Sequence, residues 1–441
     1  MCIFQLTTEV TMIVAITISA ITCLAMIMAV LFFPKMRLGK LELSSYWLIT
    51  LAGAFLLLLT RTVALSTVTS ALFADTAINP LKILVLFISM TLLSIFLDEL
   101  GFFRYLANFA LKRAGTSQFK LFIFLYVTVS VLTVFTSNDI IILSFTPFIC
   151  YFAKNAHISP VPYLAAEFVA ANTWSMTLII GNPTNIYLVT AAGGDFISYL
   201  KIMLLPTIAS GSVACLFLFL LFRKKLLAPV EAEPEEVHLP DKLSLWVGIL
   251  HLAICTVVLA VGSYVGIEMW LVSLIAAISL FLFAIVISLC RRQYPKTLAA
   301  CLKRAPWELI PFILSMFVMV EALNHNGVTD AIFKLLGSTA PVWKYGITSF
   351  LAANLINNIP MSVLYSAILQ HAGSTAAVMA TVVGSNLGAC LTPIGALAGI
   401  MWCSILKKHD LKFGYLDFLK IGITVAVPAL LAALGMLTLM L

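Results

Sequence analysis

The amino-acid sequence predicts an all-α polytopic membrane protein, with ten transmembrane helices plus two re-entrant hairpins in two inverted repeats. Three observations lead to this prediction: the apolar composition, a motif that occurs twice, and the uneven distribution of basic residues. The 441 residues are 62% hydrophobic and 10% charged, whereas soluble domains have about 45–50% apolar and about 25% charged residues. Apolar segments of about 20 residues recur along the chain, and each is long enough to cross a bilayer.

Polar residues interrupt two of these apolar segments at corresponding places. The first interruption runs from Asn172 to Ile186 and the second from Asn386 to Ile400, and they align without a gap at an offset of 214 residues. Each combines an asparagine with small or hydroxyl residues, glycine and proline, which is a composition that breaks a membrane helix near its middle. In lipid, such freed backbone groups are tolerated only where they line a cavity or a site. Paired breaks in corresponding halves therefore indicate the substrate site of a transporter.

Two other segments consist of apolar arms around a short polar tip. The first covers residues 121–152 with its tip at Thr136–Asp139, and the second covers about 345–370 with its tip at Asn357–Pro360. The arms of the first, about 15 and about 13 residues long, would be roughly 20 Å long as helices, against an apolar bilayer core of about 30 Å. We therefore predict that both segments are re-entrant hairpins that do not cross the membrane.

The order of these features predicts two repeats of five spans each: residues 1–222, a cytoplasmic linker at 223–242, and residues 243–441. Because each half has an odd number of spans, the halves insert with opposite orientation. On the linker side of this arrangement lie 21 of the 26 basic residues. Basic loops mark the cytoplasmic side, so we expect both termini outside and the linker inside, in the plasma (bacterial inner) membrane.

The two hairpin tips and the two breaks are predicted to meet near the membrane midplane. Half-helix N-termini there would suit an anion, and unwound carbonyls and asparagine oxygens would suit Na⁺. A capping role for the asparagines in structural kinks is the alternative. The candidate substrate- and ion-binding residues are Thr136, Ser137, Asn138, Asp139, Asn172, Thr173, Ser175, Thr177, Gly181, Asn182, Asn357, Asn358, Pro360, Ser385, Asn386, Thr392, Pro393 and Gly395.

Acidic residues are rare in the predicted spans. Asp139 is the one carboxylate on a tip, where it must pair with a cation or take a proton. Glu167 precedes the first break, and both a functional role and a pairing role are open for it. We expect Glu321 to reach water at the outer end of its span. Asp98 and Glu99 are expected at the inner interface, beside Arg104.

The residues at the breaks and tips also carry a resemblance to a known family. The runs Ala353–Pro360, Gly384–Gly388 and Leu391–Trp402 resemble the arsenite permease family of the ion transporter superfamily, and Phe168–Ile186 and Ser137–Asp139 resemble its first-half counterparts. The superfamily includes sodium/proton antiporters and sodium-coupled dicarboxylate and citrate carriers. The resemblance implies an elevator-type motion and, usually, a homodimer.

Asn172 and Asn386 depart from the arsenite permeases, which carry aspartate at the aligned positions. Asparagine at both breaks is closer to the sodium sites of the carboxylate carriers. This departure puts proton coupling and arsenite specificity in doubt, and Na⁺ is the favoured coupling ion over H⁺.

The sequence as a whole predicts a secondary active permease for a small anion or oxyanion, ion-coupled, working by alternating access. We expect Na⁺ or H⁺ as coupling ion, no other cofactor, no metal site beyond a possible Na⁺ site, and no nucleic-acid partner. A sodium/proton antiporter of the same superfamily is the nearest alternative. An ion channel would need a continuous polar path, whereas the polar residues cluster at tips and breaks. An enzyme is not expected, because the sequence shows neither a nucleophile–base pair nor metal-ligand spacing.

Overall fold

The computed structural model confirms the all-α fold class, with one small exception in the first loop. Strands β1 (Lys35–Leu38) and β2 (Leu41–Ser44) form a two-stranded antiparallel sheet with Lys35 opposite Ser44. Both strands alternate polar and apolar side chains, KMRL and LELS, the pattern typical of a strand, although no element was predicted for these residues. Residues 230–240 of the predicted linker lie outside the residues that the structure describes, which are 2–33, 35–38, 41–75, 79–191, 193–229, 241–262, 265–411 and 413–441.

The helices of the two halves follow one plan. Those of the first half are α1 (Cys2–Phe32), α2 (Ser45–Leu59), α3 (Leu65–Leu72), α4 (Pro80–Glu99), α5 (Phe102–Ala114), α6 (Gln118–Phe135), α7 (Asn138–Asn155), α8 (Val161–Trp174), α9 (Pro183–Ala191) and α10 (Phe196–Leu226). Those of the second half are α11 (Lys242–Gly262), α12 (Met269–Cys290), α13 (Lys296–Arg304), α14 (Leu309–His325), α15 (Val328–Leu336), α16 (Pro341–Ile356), α17 (Asn358–Ala372), α18 (Thr375–Gly388), α19 (Leu397–Lys408), α20 (Tyr415–Ile421) and α21 (Val427–Met440). A short π-helical segment, Gly422–Ala426, joins α20 to α21.

Within the described ranges, eight segments are long and apolar enough to cross a membrane. They are α1, α4, α6, α10, α11, α12, the α13–α14 segment and the α20–α21 segment. The count of ten spans includes the shorter α2 and the two broken helices, and it stays a prediction.

The arms of the first hairpin are longer than predicted. Helices α6 and α7 have 18 residues each, or roughly 27 Å of helix. Helix α6 begins before the apolar run, at Gln118, because the Ser117 hydroxyl caps its first turn by accepting from the Lys120 amide (3.3 Å). At this length, an arm that crosses the membrane cannot be distinguished from one that enters it only part of the way. Helix α6 itself is among the eight candidate spans.

Packing divides the helices into an inner and an outer group. The inner group holds the hairpins, the broken helices and the last helix of each half, with α6 on α8, α16 on α18, and α10 on α21. Helix α9 of the first half packs on α17 of the second, and α19 of the second packs on α7 of the first. The outer group repeats this exchange, with α2 on α14 and α12 on α4. Each half therefore completes the packing of the other, while their opposite membrane orientation stays a prediction.

The outer helices α11 and α12 present an apolar surface to their surroundings. Only 28% of the membrane-crossing window of each is buried, against 78% for α4. Their outward side chains include Trp246, Leu250, Ile275 and Phe283, each at least half exposed. Such a surface requires an apolar environment, as a lipid bilayer provides.

The predicted helix breaks are confirmed, and their backbones match at the offset seen in the sequence. The first runs from the end of α8 at Trp174, through a 3₁₀ turn at Ile179–Gly181, to the start of α9. The second runs from the end of α18 at Gly388, through a 3₁₀ turn at Pro393–Gly395, to the start of α19. The residues that follow the two 3₁₀ turns are both extended, with φ, ψ of −150°, 138° at Asn182 and −149°, 155° at Ala396.

Glycine ends the 3₁₀ turn in both breaks because the backbone approaches itself there. A Cβ at Gly395 would lie 2.6 Å from the Gly388 carbonyl oxygen, and a Cβ at Gly181 would overlap the carbonyl oxygen of Ser175. In both breaks the obstructing atom is backbone, which cannot rotate away as a side chain can. A glycine is therefore required for the chain to fold back at each break.

We expect Gly181→Ala and Gly395→Ala each to lower the stability of the protein by about 1–3 kcal/mol, the usual range for overpacking. Gly435→Ala in α21 is the matched control, because an added Cβ there meets no atom within 4 Å and alanine favours a helix. Thermal unfolding of the purified protein in detergent measures the difference. Break variants as stable as Gly435→Ala would contradict this account.

Candidate functional site

The side chain of Asn386 connects the two helix breaks. Its Nδ2 donates to Asn185 Oδ1 (2.6 Å) and to the Val382 carbonyl (2.8 Å). Its Oδ1 lies 2.8 Å from Ser175 Oγ and accepts from Asn182 Nδ2 (3.0 Å). An amide has two donors and an oxygen with two acceptor sites. Both donors of Asn386 are used, and the second acceptor site faces Ser175 Oγ, which also lies 2.9 Å from the Asn172 carbonyl oxygen. A residue of α18 thereby joins three residues of the first break.

Backbone carbonyls fix the orientation of these amides. The Nδ2 of Asn185 donates to the carbonyls of Ser175 (2.8 Å) and Leu178 (3.2 Å), so its Oδ1 must face Asn386. Val382 fixes Asn386 in the same way. Carbonyl oxygens only accept, and the assignment of nitrogen and oxygen in each side chain follows.

The first hairpin tip joins the same network through Asn172. Its Nδ2 donates to the Phe168 carbonyl (2.9 Å), and its Oδ1 accepts from Asn138 Nδ2 (3.1 Å). Asn138 is the first residue of α7 and is buried. Its own Oδ1 is left without a hydrogen-bond partner.

The second hairpin closes over the second break. Asn357 at the tip adopts φ 75°, and its Nδ2 donates to the Ile394 carbonyl (2.9 Å). One turn earlier on α16, Asn354 Nδ2 donates to the Gly388 carbonyl (3.0 Å), and its Oδ1 accepts from Thr392 (2.6 Å). The amide nitrogens of this hairpin thus bind the carbonyls that the break sets free.

Several polar atoms around the tips and breaks are buried and unpartnered. Leaving such a group unpaired costs about 1–3 kcal/mol, and native structures keep few of them. In the described part of the chain they include Ser137 Oγ, Asn138 Oδ1, Thr173 Oγ1, Thr184 Oγ1, Asn358 Oδ1 and Ser385 Oγ. They leave both hairpin tips and both breaks with capacity for a ligand.

Other predicted residues lie outside the network. The hydroxyls of Thr136 and Thr177 bond within their own segments, to the carbonyls of Leu132 (2.8 Å) and Trp174 (2.8 Å). Pro360 lines an apolar cavity of about 300 Å³ together with residues of α1 and α14. Pro393 and Gly395 form the 3₁₀ turn of the second break, and Gly181 ends that of the first.

The charged candidates also divide. Asp139 is half-buried in the first turn of α7, where the helix dipole favours a carboxylate, and among the described residues it has no hydrogen-bond or ion-pair partner. Asp98 and Glu99 pair with Arg304 of α13, and the Asp98 contact is 2.7 Å; their place at the inner membrane interface stays a prediction. These two ion pairs connect α4 to α13, roughly 200 residues further along the chain. The positions of the loops in the sequence did not predict this contact. Glu321 is half-buried on α14.

Sequence reasoning missed Thr184, Asn185 and Asn354. Asn185 lies in the first repeated motif, three residues after Asn182, and carries the same signal: an amide in an apolar segment. Asn354 carries the same signal, but it lies within a hairpin arm, and the prediction was limited to the residues of the tip. Thr184 follows Pro183 at the start of α9 and gave no separate signal.

A comparison with known protein families identifies the family to which this chain belongs. Residues 27–378 match the family model described as "Citrate transporter" (CitMHS), which is well over half of the chain. The chain belongs to the citrate transporter family. It is therefore a multi-pass membrane transporter, as the sequence predicted.

Individual relatives confirm the resemblance to arsenite permeases noted in the sequence. The arsenical pump membrane protein of Escherichia coli (strain K12) is 29% identical over 383 residues, covering 80% of this chain and 85% of the relative. The putative arsenical pump membrane protein of Bacillus subtilis (strain 168) is 26% identical over 367 residues, covering 76% and 82%.

Among solved structures, the YdaH transporter of Alcanivorax borkumensis, described as having an unusual topology, matches with a TM-score of 0.56. The match covers 97% of this citrate transporter family member and 98% of the YdaH chain, at 15% sequence identity. At that identity the likeness shows a shared fold and nothing about substrate.

We expect Asn386→Ala to destabilise the protein by roughly 2–4 kcal/mol, because it strands the buried amides of Asn182 and Asn185. Asn326→Ala is the matched control. Its Nδ2 also donates to two carbonyls, those of Thr62 (2.9 Å) and Ala322 (2.7 Å), but away from the breaks. Its expected cost is about 1 kcal/mol. Equal losses of thermal stability for the two variants would show that the network does not hold the breaks together.

Proposed function

We propose that this transporter is a secondary active permease for a small anion or oxyanion, located in the bacterial inner membrane. The observation that most supports a site at the tips is a pair of free amide oxygens, Asn138 Oδ1 and Asn358 Oδ1. Each belongs to the first residue of a helix that leaves a hairpin tip, α7 or α17. Both side chains are buried, so a bound ligand is the partner that would offset their desolvation.

The chemistry of the tips limits what can bind. The N-termini of α7, α9, α17 and α19 offer positive dipole ends for an anion. A free amide oxygen, in contrast, is only an acceptor, so it can bind a cation or accept a hydrogen bond from a hydroxyl group. A carboxylate substrate would therefore need Na⁺ between its oxygens and those of Asn138 and Asn358. A protonated oxyanion such as arsenite could donate its own hydroxyls. Citrate and arsenite are the two probes that the family description and the relatives' names suggest.

Coupling at the tips is proposed to use Na⁺. Asn172 and Asn386 cannot release a proton, whereas amide oxygens and freed carbonyls ligate Na⁺. Asp139, beside Asn138, can neutralise a bound Na⁺ or carry H⁺. A sodium/proton antiporter would use the same oxygens without the anion and is the second candidate. Alternating access would come from movement of the hairpins, whose tips bond to the breaks through single amides, Asn138 and Asn357.

The membrane orientation and the homodimer belong to the same proposal. The excess of basic residues in one set of loops supports an N- and C-terminus outside and a cytoplasmic linker. The exchange of packing partners between the halves supports inverted repeats.

We expect Asp139→Asn to abolish ion-driven uptake, and Asn138→Ala or Asn358→Ala to raise the half-saturating substrate concentration about tenfold, which corresponds to about 1.4 kcal/mol. Asn172→Ala and Asn386→Ala should also weaken Na⁺ or substrate affinity, because they remove the hydrogen bonds that hold the first hairpin tip and the two breaks in place. Proteoliposome uptake of citrate and of arsenite, with and without a Na⁺ gradient, measures these effects.

Thr438→Val is the control for uptake, since its hydroxyl bonds only to the Leu434 carbonyl of its own helix (2.8 Å). Full ion-driven uptake by Asp139→Asn would remove Asp139 from the mechanism. Uptake that responds to a pH gradient but not to Na⁺ would overturn the Na⁺ assignment.

We expect a cysteine placed at Glu231–Glu236 to be labelled only from the cytoplasm, and one placed after Leu441 only from outside. Both cysteines would be introduced into a cysteine-free background and tested with a membrane-impermeant maleimide in whole cells and in inside-out vesicles. An odd number of spans in each half is the reason for this outcome. Labelling of both from the same side would refute the inverted repeat.

A further inference from the structure

Glu167 is a carboxyl group deep in the inner helices. It lies on α8, five residues before Asn172, and its side chain is fully buried. Its two oxygens lie 2.8 Å and 3.1 Å from Thr146 Oγ1 on α7. In the described ranges, no lysine, arginine or histidine lies within ion-pair distance of it. A charge here would face the full cost of burial without a counter-ion.

The hydrogen bonds of Thr146 bear on whether the Glu167 carboxyl is protonated. Thr146 Oγ1 also lies 2.6 Å from the Ile142 carbonyl oxygen of its own helix. A carbonyl only accepts, and a threonine hydroxyl has a single hydrogen, so Thr146 cannot donate fully to Ile142 and to Glu167 at the same time. Both short contacts are full hydrogen bonds only when the carboxyl supplies the second hydrogen and donates to Thr146 Oγ1. The two contacts together therefore favour a neutral carboxylic acid at Glu167.

The groups that face Glu167 come from both halves of the chain. Helix α7 brings Thr146 and, one turn on, the Cys150 thiol. Helix α19 of the second half brings Trp402, whose ring lies 5.1 Å from that of Phe168. The Trp402 indole faces the carboxyl, yet its N–H lacks hydrogen-bond geometry to any partner. Helices α6, α10 and α18, which also pack on α8, bring no charged group against it among the residues described.

Because Thr146 and Trp402 lie on different helices, the protonation of Glu167 depends on how the inner helices are arranged. Thr146 belongs to an arm of the first hairpin, whereas Trp402 belongs to the helix after the second break. A displacement of α7 relative to α8 removes the hydroxyl that accepts the Glu167 proton. The nearby indole N–H could then donate to a carboxylate instead, because donors to a carboxylate stabilise its charged form.

We propose that Glu167 is a proton-binding site of this transporter. Its carboxyl is protonated in the conformation described, and it releases the proton to water when the first hairpin moves, leaving a carboxylate that accepts from Trp402. This proposal rests on the proposed transport function and adds H⁺ to the Na⁺ proposed at the tips. It assigns the first break helix a role in coupling that is separate from substrate contact.

Infrared spectroscopy of the full chain in detergent tests the protonation without any substrate. We expect the wild-type protein at neutral pH to show a carbonyl stretch of a buried protonated carboxyl, and Glu167→Gln to lose it. Glu321→Gln, which alters a half-exposed carboxyl on α14, should keep it. Thr146→Val removes the acceptor and should shift the band, which tests the contact even if Glu167→Gln does not fold. A wild-type spectrum without the band, or a band unchanged in Glu167→Gln and Thr146→Val, would overturn the proposal.

Proteoliposomes with an internal pH-sensitive dye test the coupling, with citrate and arsenite as probes. We expect a pH gradient to accelerate wild-type and Glu321→Gln uptake at least tenfold, and the ratio of uptake with and without the gradient to fall to about one in Glu167→Gln. A Glu167→Gln ratio equal to that of the wild type would overturn the coupling role. If the wild-type protein carries neither probe, the proposed substrates fail, while the infrared result still decides whether Glu167 holds a proton.

Discussion

The structure depends on one constraint: backbone groups freed inside a lipid-surrounded protein must find partners within the chain. Each helix break frees carbonyls, and asparagine side chains take them up. Asn185 binds the carbonyls of Ser175 and Leu178, Asn354 binds that of Gly388, and Asn357 binds that of Ile394. Without these amides, each broken helix would leave buried acceptors unpaired at about 1–3 kcal/mol each.

Under this constraint a capping role and a binding role of the asparagines are compatible, because the nitrogen and the oxygen of one amide can have different partners. An amide that caps carbonyls through its nitrogen leaves its oxygen facing away from the backbone. In Asn185 that oxygen binds Asn386, which ties the two breaks together. In Asn138 the nitrogen binds Asn172 and the oxygen has no partner. The same residue type therefore closes the break and, in Asn138, leaves a buried acceptor without a protein partner.

The exchange of packing partners makes the site a joint product of both halves. The short helix after each break packs on the hairpin of the other half, and Asn182 bonds to Asn386, 204 residues along the chain. Neither half can complete the network alone. The two breaks share their glycine and their backbone conformation because each must fold back against its own carbonyls.

The sequence by itself determined the membrane class, the all-α fold and the positions of the breaks and tips, because these follow from local properties. Apolar length indicates a span, and Gly181, Gly395 and the polar residues around them interrupt a helix wherever they occur. The sequence did not determine the helix ends, since α6 continues to the Ser117 cap beyond its apolar run.

Tertiary structure alone decided which polar atoms are paired and which are free. From the sequence, Thr136 and Asn138 are equivalent candidates on one tip, yet Thr136 bonds within α6 while Asn138 reaches Asn172. Glu167 could not be interpreted until Thr146 of α7 was placed beside it. Hydrogen bonding depends on distance and direction between segments far apart in the chain, and only the packed structure fixes these.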